Sequence, residues 1–393
     1  MGAMLSIEEA RAAVLAEVRP LGAEEVAVGD ALGRVLASDV VAAADVPGFA
    51  NSAMDGFALR SGPAARRLTI VGESRAGAPA DRALGDGEAI RISTGAMLPE
   101  GADAVLQIEL VTESDGAIDT HDEVQPGRNI RRPGEDITRG TTLMGAGTVL
   151  GPAELGVAIN AGRARVQVAR RPRAEVLATG DELVDPGTPL GPGQIHDSNA
   201  PMLAALARQA GADVSARRVR DEREETIAAV GEALDAADLL ILSGGVSVGP
   251  HDHVKPALEA NHVDQVFWRV ALRPGKPTWF GVRRSDDTLV LGLPGNPVSA
   301  YVTFVLFARP AIAALQGATA TTRRRTAHTG VAIARHPDRD ECVRVRIDEQ
   351  GAATPTGPQG SHILSSLLGA DGLAVIPRGD TDLPAGSTVD VYG

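Results

Sequence analysis

Ser6-Ile7-Glu8-Glu9 reads as a capping box, in which a serine accepts from the third helical amide and the glutamate there returns the bond. Ile7, Ala10, Val14, Leu15 and Val18 follow at helical spacing, and Pro20 ends the helix they predict. From 45 to about 134 the texture changes. Short apolar runs at 68–71, 88–92 and 104–108 are separated by Gly and Pro clusters, which predicts a small β-rich module. Residues 135–170 return to mixed character, with a helix predicted over 152–161.

The stretch from about 171 to 320 is more regular. Strand-like runs at 174–178, 213–219, 238–242, 263–268 and 288–291 alternate with helical stretches at 201–211, 224–237, 253–260 and 298–316. That alternation predicts βαβ units and a doubly wound, mostly parallel sheet covered on both faces. Beyond 321, Val343, Val345 and Ile347 alternate with Arg344 and Arg346. This is the period of a half-buried strand with its arginines outward. Runs at 373–376 and 388–392 read the same way.

The expected fold class is therefore α/β multidomain. An N-terminal mixed α/β domain (1–45 with 135–170) is interrupted by an inserted β-rich module (46–134). A doubly wound α/β domain (171–320) and a C-terminal β domain (321–393) follow. No repeat of fixed period is present.

Charge narrows the function. The 393 residues carry 38 Lys and Arg against 51 Asp and Glu, a net charge of −13. A general nucleic-acid binder is excluded on that balance, because such binding rests on neutralising phosphates. Aromatic residues are 3%, so stacking platforms for bases are not expected either. The single cysteine, Cys342, rules out a disulfide framework or a thiolate zinc cluster and reads as a small core residue. No uncharged apolar run approaches the ~18 residues of a membrane span, and no signal-peptide pattern opens the chain. The expected location is cytoplasmic.

An open parallel sheet binds ligands beyond the carboxyl ends of its strands. The first predicted strand is followed by Thr179-Gly180-Asp181-Glu182 and the second by Arg220-Asp221-Glu222. The third runs into Ser243-Gly244-Gly245-Val246-Ser247-Val248-Gly249-Pro250-His251-Asp252, and the last into Gly292-Leu293-Pro294-Gly295-Asn296-Pro297. Glycines before a helix let backbone amides approach an oxyanion, although a tight turn needing positive φ explains them equally well. Glu182, Asp221 and Asp252 are costly together unless a cation sits among them, and hard oxygen ligands suit magnesium. Taken singly, each acid is also an ordinary helix cap or solvated side chain.

Arg269, Arg273 and Lys276 surround one Pro-Gly turn, which invites an anion if they are not surface ion pairs. His251 and His253 flank Asp252 but lack a third zinc ligand. In the β-rich module, Asp55 is the lone acid of an uncharged run over 47–57. Ser93-Thr94-Gly95-Ala96 follows a strand, and Arg131-Arg132-Pro133-Gly134-Glu135-Asp136 mixes both signs at a turn.

In their order, these motifs resemble the molybdopterin molybdenumtransferases, and are similar to the C-terminal domain of gephyrin. The resemblance rests on Asn51-Ser52-Ala53-Met54-Asp55-Gly56-Phe57-Ala58, Ser93-Thr94-Gly95-Ala96, Gly134-Glu135-Asp136 and Thr179-Gly180-Asp181-Glu182-Leu183. The 243–249 loop, Arg273-Pro274-Gly275-Lys276-Pro277, the 292–300 stretch and Gln359-Gly360-Ser361 complete it.

The resemblance implies an enzyme that inserts molybdate into adenylylated molybdopterin and releases AMP, with magnesium. It implies a homodimer whose site lies between the doubly wound domain of one subunit and the β-rich module of the other. A molybdopterin adenylyltransferase would supply the intermediate. By matching motif, Asp55, Thr94, Asp136, Glu182, Asp221, Asp252 and Lys276 are the implied catalytic residues, with Asp252 and Glu182 holding magnesium. Ser243, Gly244, Gly245, Ser247, Gly249, Arg269, Arg273, Lys276, Pro294, Pro297 and Ser299 would line the substrate pocket. Two other functions fit the same fold: molybdopterin adenylylation, and a non-catalytic scaffold. The sequence departs from the family pattern where Arg269 and Arg273 stand at positions that are lysine in some members, and Phe57 in place of a frequent tyrosine.

Overall fold

Helix α1 (Ile7–Glu17) forms where the capping box predicts it: the Ser6 side chain accepts from the Glu9 amide (3.1 Å) and Glu9 Oε2 accepts from the Ser6 amide (2.8 Å). In this computed structural model, which describes residues 4–245, 253–319 and 324–393, its buried face joins the core of the α/β unit. Ile7, Ala10 and Val14 pack in one cluster with Val176, Leu203, Ile241 and Leu306.

The α/β unit follows in order as β1 (Arg173–Thr179), α2 (Asn199–Gln209), β2 (Asp213–Val219), α3 (Arg223–Ala236), β3 (Leu239–Ser243), α4 (Val254–Ala260), β4 (Val263–Trp268), β5 (Trp279–Arg283), β6 (Thr288–Leu293) and α5 (Pro297–Leu315). The six strands lie in the order β2-β1-β3-β6-β5-β4. β1, β2, β3 and β6 are parallel, and β5 runs antiparallel to both its neighbours. β3 is an unbroken apolar run, Leu239-Leu240-Ile241-Leu242, because helices cover both faces of the sheet.

Two features differ from the sequence expectation. β5 is absent from the strands expected from the sequence; Gly281 interrupts its apolar run. α5 is not uniform either: its middle, Phe304–Ala308, is π-helical. Pro310 explains that segment, because it lacks the amide that would bond to Leu306 O and its ring crowds that carbonyl. Leu306 O instead accepts from Arg11 Nε of α1 (3.3 Å). α5 is apolar and long enough to cross a membrane, but Ala300, Val302, Phe304, Leu306 and Ile312 are fully buried in the protein core.

The β-rich module has its own sheet, ordered Ala104–Gln107, Gly56–Leu59, Glu88–Ile92, Arg67–Ser74, Ala117–Thr120, Val111–Ser114. Its core of Phe57, Leu59, Leu68, Leu106 and Ile118 includes no residue of the α/β unit. Flanking it in sequence, Ala23–Ala27 pairs antiparallel with Arg165–Ala169, and helix Pro152–Asn160 packs beside them.

The C-terminal strands close on themselves. Asp340–Ile347 pairs with Ala352–Pro355 on one side and Gly372–Ile376 on the other, while Arg324–Thr329 and Thr388–Tyr392 complete the ring. Within Asp340–Ile347, Arg344 is fully buried, against the outward position that alternation predicts. The 357–366 loop packs over that face, and the guanidinium donates to Ser366 Oγ (3.1 Å) and Gly360 O (3.3 Å). Cys342 is buried, and burial with Asp340 nearby pushes its thiol up to about 12, so it is no nucleophile at neutral pH.

One ion-pair cluster closes the N-terminal edge of the sheet. Asp238 accepts from Arg170 Nη1 (2.9 Å), Arg170 Nη2 (3.0 Å), the Arg173 amide (2.8 Å) and Arg173 Nη2 (3.1 Å). Partial burial pushes its carboxyl up, and the bonds from Arg170 and Arg173 more than offset this, leaving it at about 2 against the usual 3.8. The folded pKa is depressed, so the contribution is complete well above pH 3.8 and is lost as pH falls from there toward about 2. We expect Asp238→Asn to cost about 2 kcal/mol near neutrality. Urea unfolding should show the gap to wild type closing between pH 5 and pH 2; a gap independent of pH would count against the assignment.

Candidate functional site

The carboxyl ends of β1, β2, β3 and β6 open into one cavity of about 660 Å³. Thr179, Glu182, Asp221, Ser243, Gly244, Gly245, Gly295, Asn296 and Pro297 line it. The convergence predicted from the sequence is thus present for Glu182, Asp221, Ser243, Gly244, Gly245 and Pro297. Gly244 (φ 91°) and Gly245 (φ 63°) take left-handed conformations. A Cβ on Gly245 would lie 2.3 Å from Val254 Cγ2 and 3.1 Å from Thr179 Oγ1, so the turn has room for glycine alone. The Gly244 amide is already committed to Leu293 O (3.2 Å).

The cavity walls carry two kinds of electrostatic group. Ser198 and Asn199 at the start of α2, and Asn296 and Pro297 at the start of α5, are helix N-terminal residues, and helix N-termini carry partial positive charge, which favours anions. Glu182, Asp221 and Asp197 are acids in the same lining. Burial pushes the Asp221 carboxyl up, and the negative charges of Asp181 and Glu182 push it further in the same direction. His253 and a bond from Thr179 oppose this only in part. Asp221 thus stands partly buried beside two other acids, a setting in which a nearby cation would favour its charged form.

Four residues from the short Ile195–His196 strand and the approach to α2 complete the cavity without being expected there: His196, Asp197, Ser198 and Asn199. Asp197 Oδ1 accepts from the Ala200 amide (3.1 Å), the behaviour of a helix-capping acid, and Asp-Ser-Asn before a helix was the available signal. His362 and Leu364 reach in from the C-terminal domain, on a loop fixed to α5 by the Val298 amide donating to Ser361 O (3.2 Å).

Other expected residues lie outside the lining. Arg269 stacks over the Trp268 ring (3.9 Å), and Arg273 faces Glu341 of the C-terminal domain (3.7 Å). Lys276 is exposed, whereas Pro294 and Ser299 are buried. Ser247, Gly249, His251 and Asp252 lie outside the described residues.

Asp55 and Thr94 meet on the β-rich module, and Asp136 lies just past its end, opposite Val46. Asp55 Oδ1 accepts from the Thr94 amide (2.8 Å). The Gly95 amide donates to Ser52 O (2.8 Å), Asn51–Ser52 pairs with Ile130–Arg131, and the Asp136 amide donates to Val46 O (3.0 Å). Stretches far apart in sequence thus share one set of backbone bonds. Around them Phe49 (44%), Met54 (42%) and Met97 (45%) are exposed apolar side chains. No residue of 46–134 lines the cavity.

Comparison with known proteins identifies the architecture. Residues 5–162 match the MoeA N-terminal region (domain I and II), 175–314 a probable molybdopterin binding domain, and 326–393 the MoeA C-terminal region (domain IV). The chain is 38% identical to the molybdopterin molybdenumtransferase of Haemophilus influenzae, over 99% of this chain and 98% of that protein. The chain belongs to the molybdopterin molybdenumtransferase family. Its relative from Bacillus subtilis, also a molybdopterin molybdenumtransferase, is 37% identical over 94% of this chain and 89% of its own length. A molybdopterin biosynthesis moeA protein of Pyrococcus horikoshii superposes with a TM-score of 0.86 at 27% identity, over 99% of this chain and 100% of that one. The α/β multidomain architecture expected from the sequence is the molybdenumtransferase fold.

Proposed function

We propose that this chain takes part in molybdenum cofactor biosynthesis by inserting molybdate into adenylylated molybdopterin with release of AMP. The observation that carries this is the cavity at the strand ends, whose lining combines helix N-termini, a glycine turn and acids. The α2 and α5 N-termini favour the oxyanions of phosphate and molybdate, and the glycine turn lets a bulky anion approach the backbone. Glu182 and Asp221 supply hard oxygen ligands, so they fit magnesium. Among the described residues no group of three or more His, Cys, Asp or Glu is placed to hold a metal ion. Magnesium is commonly held through one or two carboxylates and keeps several waters. When bound, it would offset charge on the phosphoanhydride oxygens. Glu182 and Asp221 would hold it, with Asp252 implied beside them by the family resemblance, while Ser243 and the Gly244-Gly245 turn shape the wall against which the substrate rests. Lys276, Arg269 and Arg273 supply cations to an anionic substrate that reaches beyond the cavity rim.

In this proposal the site is completed by a second copy. Asp55 and Thr94 belong to a module with its own core and stand, like Asp136 at its end, outside the cavity. Phe49, Met54 and Met97 beside them offer the apolar rim that a partner subunit would cover. The homodimer works in the cytoplasm and receives the adenylylated intermediate from a molybdopterin adenylyltransferase.

The test supplies purified protein with adenylylated molybdopterin, molybdate and magnesium. AMP release matched by protein-dependent molybdenum incorporation is expected. Consumption of ATP with unmodified molybdopterin would instead assign adenylylation, and inertness of the folded protein to both would assign a scaffold.

A further inference from the structure

Asn199 opens α2 in the cavity lining, and its single NH2 group holds two loops at once. Nδ2 lies 3.0 Å from Ser243 Oγ, at the end of β3, and 2.7 Å from Gly295 O, in the turn between β6 and α5. A backbone carbonyl only accepts, so this contact fixes which way the amide faces. Among the described residues, Oδ1 is then left buried without a hydrogen-bond partner. A buried acceptor left unpaired is costly, so the side chain keeps this pose for what its two N–H groups do.

Those N–H groups join the two segments that shape the turn. Ser243 leads directly into Gly244 and Gly245. Gly295 leads into Asn296 and Pro297, and the next amide, Val298, is bonded to Ser361 O beside His362 of the C-terminal domain. One amide side chain thus ties together the β3 loop and the β6–α5 turn, to which the loop carrying His362 is also fastened. All three segments line the cavity.

We propose that Asn199 is a positioning residue for the reaction. It holds the β3 loop and the β6–α5 turn at the separation that the oxyanion end of the substrate requires. The inference rests on the cavity being the substrate site. It predicts that Asn199 acts on affinity and turnover through loop geometry, without being a major support of the fold.

The test compares wild type, Asn199→Ala, Asn199→Asp and Ser243→Ala as full-length protein. Asn199→Asp keeps the shape but replaces the donor facing Gly295 O with an acceptor. Both Asn199 variants should weaken AMP binding, measured by calorimetry, by about tenfold or more, as expected for loss of two hydrogen bonds at a binding wall. KM for adenylylated molybdopterin should rise in step, while the unfolding temperature changes little. Adding Ser243→Ala to Asn199→Ala should cost less than the sum of the single effects, because the two residues share one bond. Unchanged AMP affinity and KM in Asn199→Asp, with wild type binding normally, would overturn the inference alone. A wild-type protein that binds neither AMP nor molybdopterin would instead remove the substrate site on which it rests. A fall in unfolding temperature and in the active fraction, with KM unchanged, would make Asn199 merely structural.

Discussion

Replacing Glu182 by Gln, or Asp55 by Asn, should lower molybdenum insertion by roughly 10²-fold or more, the scale on which preorganised charges act in catalysis. Both changes are nearly isosteric. Glu182 is exposed in the cavity lining, so removing its charge leaves the core untouched while taking away part of the negative field around Asp221. Asn at position 55 can still accept from the Thr94 amide through its carbonyl oxygen, so the loop contact survives and only the charge is lost. Circular dichroism and unfolding temperature should therefore match wild type. Near-wild-type insertion in both variants would remove the two acids from the mechanism.

The second large effect is expected at Gly245. Alanine there would adopt a left-handed conformation, costing about 1–2 kcal/mol. Its methyl group would also press on Val254 Cγ2 at 2.3 Å, and crowding a packed site adds about 1–3 kcal/mol. Val254 is itself buried at the start of α4, so the turn must move rather than the helix. Insertion activity should fall at least tenfold, with a lower unfolding temperature. Crystallography of Gly245→Ala should show the β3 loop displaced into the cavity; a variant with wild-type stability and turnover would refute the space argument.

How far the sequence reached follows from the range of the forces involved. The capping box at Ser6 and Glu9 and the apolar run of β3 were legible because a few neighbouring residues dictate each. So was the convergence of Glu182, Asp221 and Ser243, since parallel strands bring their carboxyl ends to one edge. β5 was hidden because a glycine interrupts it and its sheet neighbours are needed to define it. Arg344 looked like a surface residue by alternation. Its burial depends on the 357–366 loop, which period-2 reasoning along a single strand does not include. His362 entered the cavity unannounced for the same reason: a loop of the C-terminal domain carries it to α5. The bond from Asn199 to Gly295 spans 96 positions of sequence, and no local pattern encodes it. The contact between Asp55 and the Thr94 amide spans 39 positions, and no local pattern encodes it either.

The central claim is that acids from two copies of the chain serve one site, and mixed dimers test it most directly. Asp55→Asn and Glu182→Gln protein, each nearly inactive, would be unfolded together, refolded and assayed for molybdenum insertion. If each site takes Asp55 from one subunit and Glu182 from the other, random reassociation into two-fold dimers restores one intact site in each mixed dimer, or about a quarter of wild-type activity. Mixtures that stay as inactive as the separate variants, although mixed dimers have formed, would contradict the claim.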